Sequence, residues 1–189
     1  MNSGRPMVGV IGSGSDTHSN LSLPLGNFLA EKGCNLINGG GHGVMAEVAK
    51  GFSNIRQRQG IIIGILPAAG SCETQEDRGE FKAPSGYPNI HTDLPIYTHL
   101  HLGGESGKGI ASRNHIIVLS ADVIVALPGG PGTRSEIQLA LEYGKPLLIL
   151  SPENEWSDFS SSSATLVKNL QQAMDWLNNK IPHIHYENH

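Results

Sequence analysis

The segment Pro128-Gly-Gly-Pro-Gly-Thr-Arg-Ser-Glu136 holds the residues whose types and spacing best suit chemistry. It follows Val123-Ile-Val-Ala-Leu127, a short continuous apolar run that reads as a buried parallel strand. Gly129, Gly130 and Gly132 let a ligand approach the main chain closely. The helix expected next aims unpaired N–H groups and its positive dipole end at the same space. Such a place binds an anion, most often phosphate, and Thr133 adds a hydroxyl near the helix start. A carboxylate beside a phosphate site repels it. Glu136 is therefore read as a group kept for chemistry or for recognising a ligand hydroxyl.

Two further glycine turns accompany this one. Gly12-Ser-Gly-Ser15 follows the apolar run Met7–Ile11, and its Ser13 and Ser15 offer hydroxyls. Asn38-Gly-Gly-Gly-His-Gly-Val-Met45 joins a second apolar run to a helix, so that Gly39, Gly40, Gly41 and Gly43 are candidates to hold another polar part of the ligand. This turn does not fit the dinucleotide fingerprint, because valine takes the last glycine place and no acidic residue stands at a following strand tip. A nicotinamide cofactor is disfavoured. Arg113 is the one cation in the helical stretch Ile110–Ser120. Its guanidinium suits a bidentate grip on phosphate or carboxylate, a salt bridge to Glu136 or Asp122, or each in turn. Gly104-Glu-Ser-Gly-Lys-Gly109 is not a nucleoside-triphosphate loop: Leu102 stands where its first glycine belongs, and Gly109 where a magnesium-binding hydroxyl belongs. The pairs His99/His101 and His183/His185 each put two imidazoles on one side of an extended segment. No Cys, Asp or Glu completes a metal set, and no metal is expected.

These residues need elements to position them, and the pattern alternates strand and helix. Strands are expected at Met7–Ile11, Cys34–Ile37, Gly60–Leu66, Val123–Leu127 and Pro146–Leu150, and helices at Leu21–Lys32, Val44–Gln57, Ile110–Ser120, Ser135–Tyr143 and Leu166–Asn178. The expectation is one Rossmann-like α/β domain over residues 1–189, a doubly wound parallel sheet of at least five strands with helices on both faces. Ligands bind such sheets beyond the strand carboxyl ends, so the three glycine turns should converge on one crevice. Residues 68–109 lack clear periodicity and read as an insertion or lid over that crevice, partly ordered by Tyr87, Ile90, Leu94, Ile96 and Tyr97. Ser151–Ser163 reads as a loop, and residues 164–189 as a terminal helix with a tail.

At 189 residues with a net charge of −4, nothing points to nucleic acid. No apolar run approaches the ~20 residues of a membrane span, and the N-terminus lacks a signal-peptide core. Cys34 and Cys72 have no metal or redox spacing. A reduced, soluble, cytoplasmic protein is expected.

Taken together and in order, Gly-Gly-Gly-His-Gly-Val-Met (39–45), Ala-Ser-Arg-Asn (111–114) and Pro-Gly-Gly-Pro-Gly-Thr-Arg-Ser-Glu (128–136) resemble the LOG, or "lysine decarboxylase-like", Rossmann superfamily, from Met7 to about Leu150. The resemblance implies two functions. LOG enzymes cleave nucleoside 5′-monophosphates of the cytokinin type into free base and ribose 5-phosphate, and their catalytic Arg and Glu fall on Arg113 and Glu136. A carboxylate there would stabilise the oxocarbenium character of the transition state. The other branch, molybdenum cofactor carrier proteins, is similar in fold and binds a pterin phosphate without turning it over. Asn114 stands where LOG enzymes have Lys, and Arg134-Ser135 where they have Leu-Glu, which places the chain nearer the carriers. The resemblance thus implies a carrier of a phosphorylated small molecule, with molybdenum cofactor (molybdopterin) as the leading ligand and no catalytic metal. A phosphoribohydrolase is second, and a nucleotide-sensing domain third. Gly129, Gly130, Gly132 and Thr133 would hold phosphate, the other glycine turns with Ser13 and Ser15 would line the crevice, and Arg113 would balance charge. Both branches imply a homodimer or homotetramer, with the helix Ser135–Tyr143 at or near a subunit contact.

Overall fold

The computed structural model describes residues 4–181. His183, His185 and His189 lie outside them. Seven parallel strands form one sheet: β1 (Met7–Ile11), β2 (Asn35–Asn38), β3 (Ile62–Leu66), β4 (Leu94–Tyr97), β5 (Val123–Ala126), β6 (Leu147–Leu150) and β7 (Thr165–Val167). Their order is β4-β3-β2-β1-β5-β6-β7, the expected doubly wound α/β fold. The helices are α1 (Ser19–Glu31), α2 (Val44–Asn54), α3 (Gln75–Gly79), α4 (Asn114–Ser120), α5 (Pro131–Glu142) and α6 (Leu170–Lys180).

The inner strands are apolar on both faces because both are covered. Val8, Val10, Leu36, Val123, Val125, Leu148 and Leu150 pack with α1, α2 and α6. The alternate residues, among them Ile11, Ile37, Ile124, Ala126 and Ile149, pack with α4 and α5. Helices α1 and α2 approach backbone to backbone through two glycines: a Cβ on Gly26 would stand 2.1 Å from Val48 O, and one on Gly51 2.1 Å from Leu23 O.

Several elements differ from the sequence expectation. α5 begins at Pro131 rather than Ser135, because Pro at N1 is already set for the helix. That shift puts Gly132 and Thr133 in its first turn. α4 begins at Asn114 rather than Ile110; Ile110 is 95% exposed, and Arg113 is the N-cap. Residues 68–109 contain α3, closed by a Thr74–Asp77 capping box, and the edge strand β4. β7 occupies Thr165–Val167, where the expected terminal helix was to begin. Arg58 clamps the β4 edge: Nη1 and Nη2 donate to Asp93 Oδ2 and Oδ1, each at 2.8 Å, and Asp93 Oδ2 also accepts from Ile62 N at 2.7 Å. Among the described residues no helix is long and apolar enough to cross a membrane.

Candidate functional site

Strand order reverses at β1, which lies between β2 and β5. The chain runs outward to β4 and returns to β5, leaving a crevice beyond the carboxyl ends of β1 and β5. Its volume is about 590 Å³, in the range of small-molecule sites. The turn after β1 supplies Gly12, Ser13, Gly14 and Ser15; the start of α5 supplies Gly130, Pro131, Gly132, Thr133 and Glu136; the start of α4 supplies Arg113 and Asn114. The turn after β2 supplies Gly39, and Met45 of α2 reaches in beside it. Pro84, Tyr87 and His101 of the insertion complete the wall.

The three turns are tied at one residue. Ser13 N donates to Pro128 O at 3.0 Å, and Ser13 O accepts from Val44 N at 2.9 Å. The Ser13 hydroxyl is engaged locally, accepting from Ser15 N at 3.2 Å and Asp16 N at 2.9 Å. Gly129 stands behind the wall rather than in it. A Cβ there would lie 2.2 Å from Thr133 Oγ1 and 2.8 Å from Ser13 N, so its glycine allows the first and third turns to touch. Gly40, Gly41 and Gly43 also stand behind, against Leu66, Tyr87 and the Ser13 carbonyl respectively. Of the second turn's four glycines only Gly39 faces the crevice.

The first intrahelical bond from the α5 N-terminus is Arg134 N to Gly130 O at 3.0 Å. Pro131 has no N–H, so the amides of Gly132 and Thr133 have no intrahelical carbonyl and the helix presents donors at the crevice. Glu136 lies one turn further in and is half-buried. Burial pushes its pKa up to about 7, and the charge of Arg113 pulls part of the way back. The pair is not in contact: the four ion pairs among the described residues lie elsewhere, and Asp122 accepts from Met7 N instead. Arg113 Nε is buried without a hydrogen-bond partner among the described residues, and the guanidinium carbon lies 5.4 Å from the Tyr87 ring centroid. A cation without a counter-ion among the described residues, a helix start with open amides and a carboxyl of raised pKa thus share one crevice. Such a set has the donors to grip an oxyanion and a carboxyl able to exchange a proton.

His101 reaches the crevice while His99 is exposed, and among the described residues no three His, Cys, Asp or Glu side chains are grouped to hold a metal. Tyr87, Met45, Asn114 and Pro84 line the crevice without having been chosen as site residues from sequence. Tyr87 carried one signal, its place among the aromatic and apolar residues expected to order the insertion.

An uncharacterised protein of Archaeoglobus fulgidus is 33% identical over 147 residues, covering 77% of this chain and 80% of its own. The molybdenum cofactor carrier protein of Chlamydomonas reinhardtii superposes with a TM-score of 0.69 at 28% identity, covering 93% of this chain and 98% of its own. DNA processing protein A of Helicobacter pylori, which binds single-stranded DNA, superposes with a TM-score of 0.63 over 93% of this chain and 81% of its own; at 19% identity that likeness is one of fold alone. The expected superfamily resemblance agrees with the family model that matches residues 5–176, and the chain belongs to the SLOG cluster4 family.

Proposed function

We propose that this protein binds a phosphorylated small molecule and passes it on unchanged, with molybdenum cofactor the leading ligand. The observation that carries the reading is the pairing of open α5 amides with Arg113, a guanidinium that has no counter-ion among the described residues. Structural similarity to a molybdenum cofactor carrier supports the choice of ligand. The raised pKa of Glu136 supports it too, since a neutral carboxyl does not repel an anion beside it. Gly130, Gly132 and Thr133 would meet the phosphate, and Ser15 and Gly39 the rest of the ligand. A net charge of −4 gives no electrostatic footprint for nucleic acid. By the same family resemblance we expect a cytoplasmic homodimer or homotetramer, which light scattering measures.

A second reading is favoured by the presence of Arg113 and Glu136 in one crevice, the pair a phosphoribohydrolase would use. One experiment separates the two. The purified protein is incubated with a panel of nucleoside 5′-monophosphates and assayed for ribose 5-phosphate, and a parallel preparation is assayed for co-purifying molybdopterin. Retained pterin without turnover is expected. Turnover that disappears in Glu136→Ala would establish the hydrolase and remove the carrier.

A further inference from the structure

The insertion sends one aromatic ring into the crevice. Tyr87 lies over the guanidinium of Arg113, and its ring meets that of His42 edge-on, 6.2 Å between centroids with planes 69° apart. Asn89, 8% exposed, seats this segment on the turn after β2: its backbone N donates to Gly40 O at 2.7 Å and its Nδ2 to Gly41 O at 3.0 Å. The turn is shaped to receive it. A Cβ on Gly41 would stand 2.6 Å from the Tyr87 hydroxyl oxygen, and one on Gly39 2.3 Å from Arg113 Nη2. Two glycines that would suit a phosphate loop thus also leave room for the ring and the guanidinium.

A cation–π contact holds a guanidinium without engaging a hydrogen-bond acceptor, so its N–H donors remain for other partners. Arg113 has its guanidinium carbon over the Tyr87 ring, no ion pair with a described carboxylate, and a buried Nε without a partner among the described residues. We propose that Tyr87 is the positioning residue of Arg113: its ring holds the guanidinium by a cation–π contact, leaving N–H donors for an oxyanion in the crevice, and only while the insertion is seated on the glycine turn. The binding of an oxyanion rests on the reading that the crevice takes a phosphorylated ligand; the positioning does not.

The test needs no knowledge of the natural ligand. Phenylglyoxal modifies guanidinium groups, and peptide mass mapping of the full-length chain reads the rate at Arg113, with and without inorganic phosphate. Tyr87→Leu is expected to raise that rate about fivefold, the worth of one cation–π contact, and to weaken protection by phosphate. Tyr87→Phe, which keeps the ring, is expected to restore both. An unchanged rate in Tyr87→Leu overturns the proposal, as does a Tyr87→Phe variant that behaves like Tyr87→Leu. Should Tyr87→Leu fail to fold, His42→Ala removes only the exposed ring at the edge of Tyr87; a rise of about twofold supports the proposal and an unchanged rate overturns it. Absence of phosphate protection in the parent, with the Tyr87 effect intact, overturns the phosphorylated-ligand reading and supports the positioning role.

Discussion

Glu136 sits one turn into a helix whose start attracts anions, and burial has moved its pKa from 4.5 to about 7. The folded-state value lies above the unfolded one, so the folded chain holds this proton longer as pH rises. Stability is therefore unaffected by the group below about pH 4.5, falls between there and about pH 7, and stays lowered above. Glu136→Gln, which mimics the neutral acid, should be more stable than the parent by roughly 2 kcal/mol at about pH 8, allowing for solvent around a half-buried group, and equal to it at about pH 4. Thermal melts at both pH values check this. A bound phosphate would raise the pKa further, so phosphate should bind more tightly at about pH 6 than at about pH 8, with proton uptake measurable by calorimetry in buffers of different ionisation enthalpy. Glu136 and Arg113 were legible in the sequence because their signals are local, one carboxylate four residues beyond a glycine and one cation in an apolar stretch. Tyr87 was not legible as their neighbour. Its partners Gly41 and Arg113 are distant in sequence, and no periodicity in the insertion tells which way the ring points.

At the scale of elements, the long strands and helices were legible because burial on both faces makes strands continuously apolar and helices one-sided. The short elements were not. β7 is three residues long, and its Leu166 falls into helical register with Leu170, Met174 and Leu177, so the strand was absorbed into the following helix. β4 contains Pro95, and its Leu94, Ile96 and Tyr97 are exposed, which removes the usual marks of a strand. Gly26 and Gly51, inside α1 and α2, would weaken an isolated helix, yet they set how closely the two helices pack. Gly51→Ala should destabilise the chain by about 2 kcal/mol despite the better helix former, because its methyl meets the Leu23 carbonyl. Urea denaturation measures this; a stabilised variant would show that α1 and α2 part without cost. Gly129→Ala tests the other close approach. Its methyl would press on Thr133 and Ser13, and loss of phosphate binding with a lesser loss of stability is expected by calorimetry and melting.

At the scale of the molecule, the reversal of strand order at β1 locates the crevice, where the sequence had pointed through three glycine turns at strand carboxyl ends. The β4 edge of the sheet, besides its pairing with β3, carries one ion pair, Arg58 with Asp93. Burial raises the Asp93 pKa, but hydrogen bonds from Arg58 and Ile62 N, with the Arg58 charge, outweigh it and leave the value below the ordinary 3.8. Asp93 thus stabilises the fold above about pH 4, and that contribution is lost as pH falls through the lowered value. Arg58→Ala should speed amide exchange at β4, leaving β1 and β5 protected; uniform exchange across the sheet would show that the edge does not open on its own. The Ser13 backbone bears on how such a site changes between relatives. Because the N–H and the C=O of one residue bond two other turns, the three loops share a single geometry and cannot be exchanged one at a time. A chimera that imports residues 128–136 from a relative should recover a well-formed crevice only when residues 12–15 and 38–45 come from the same parent.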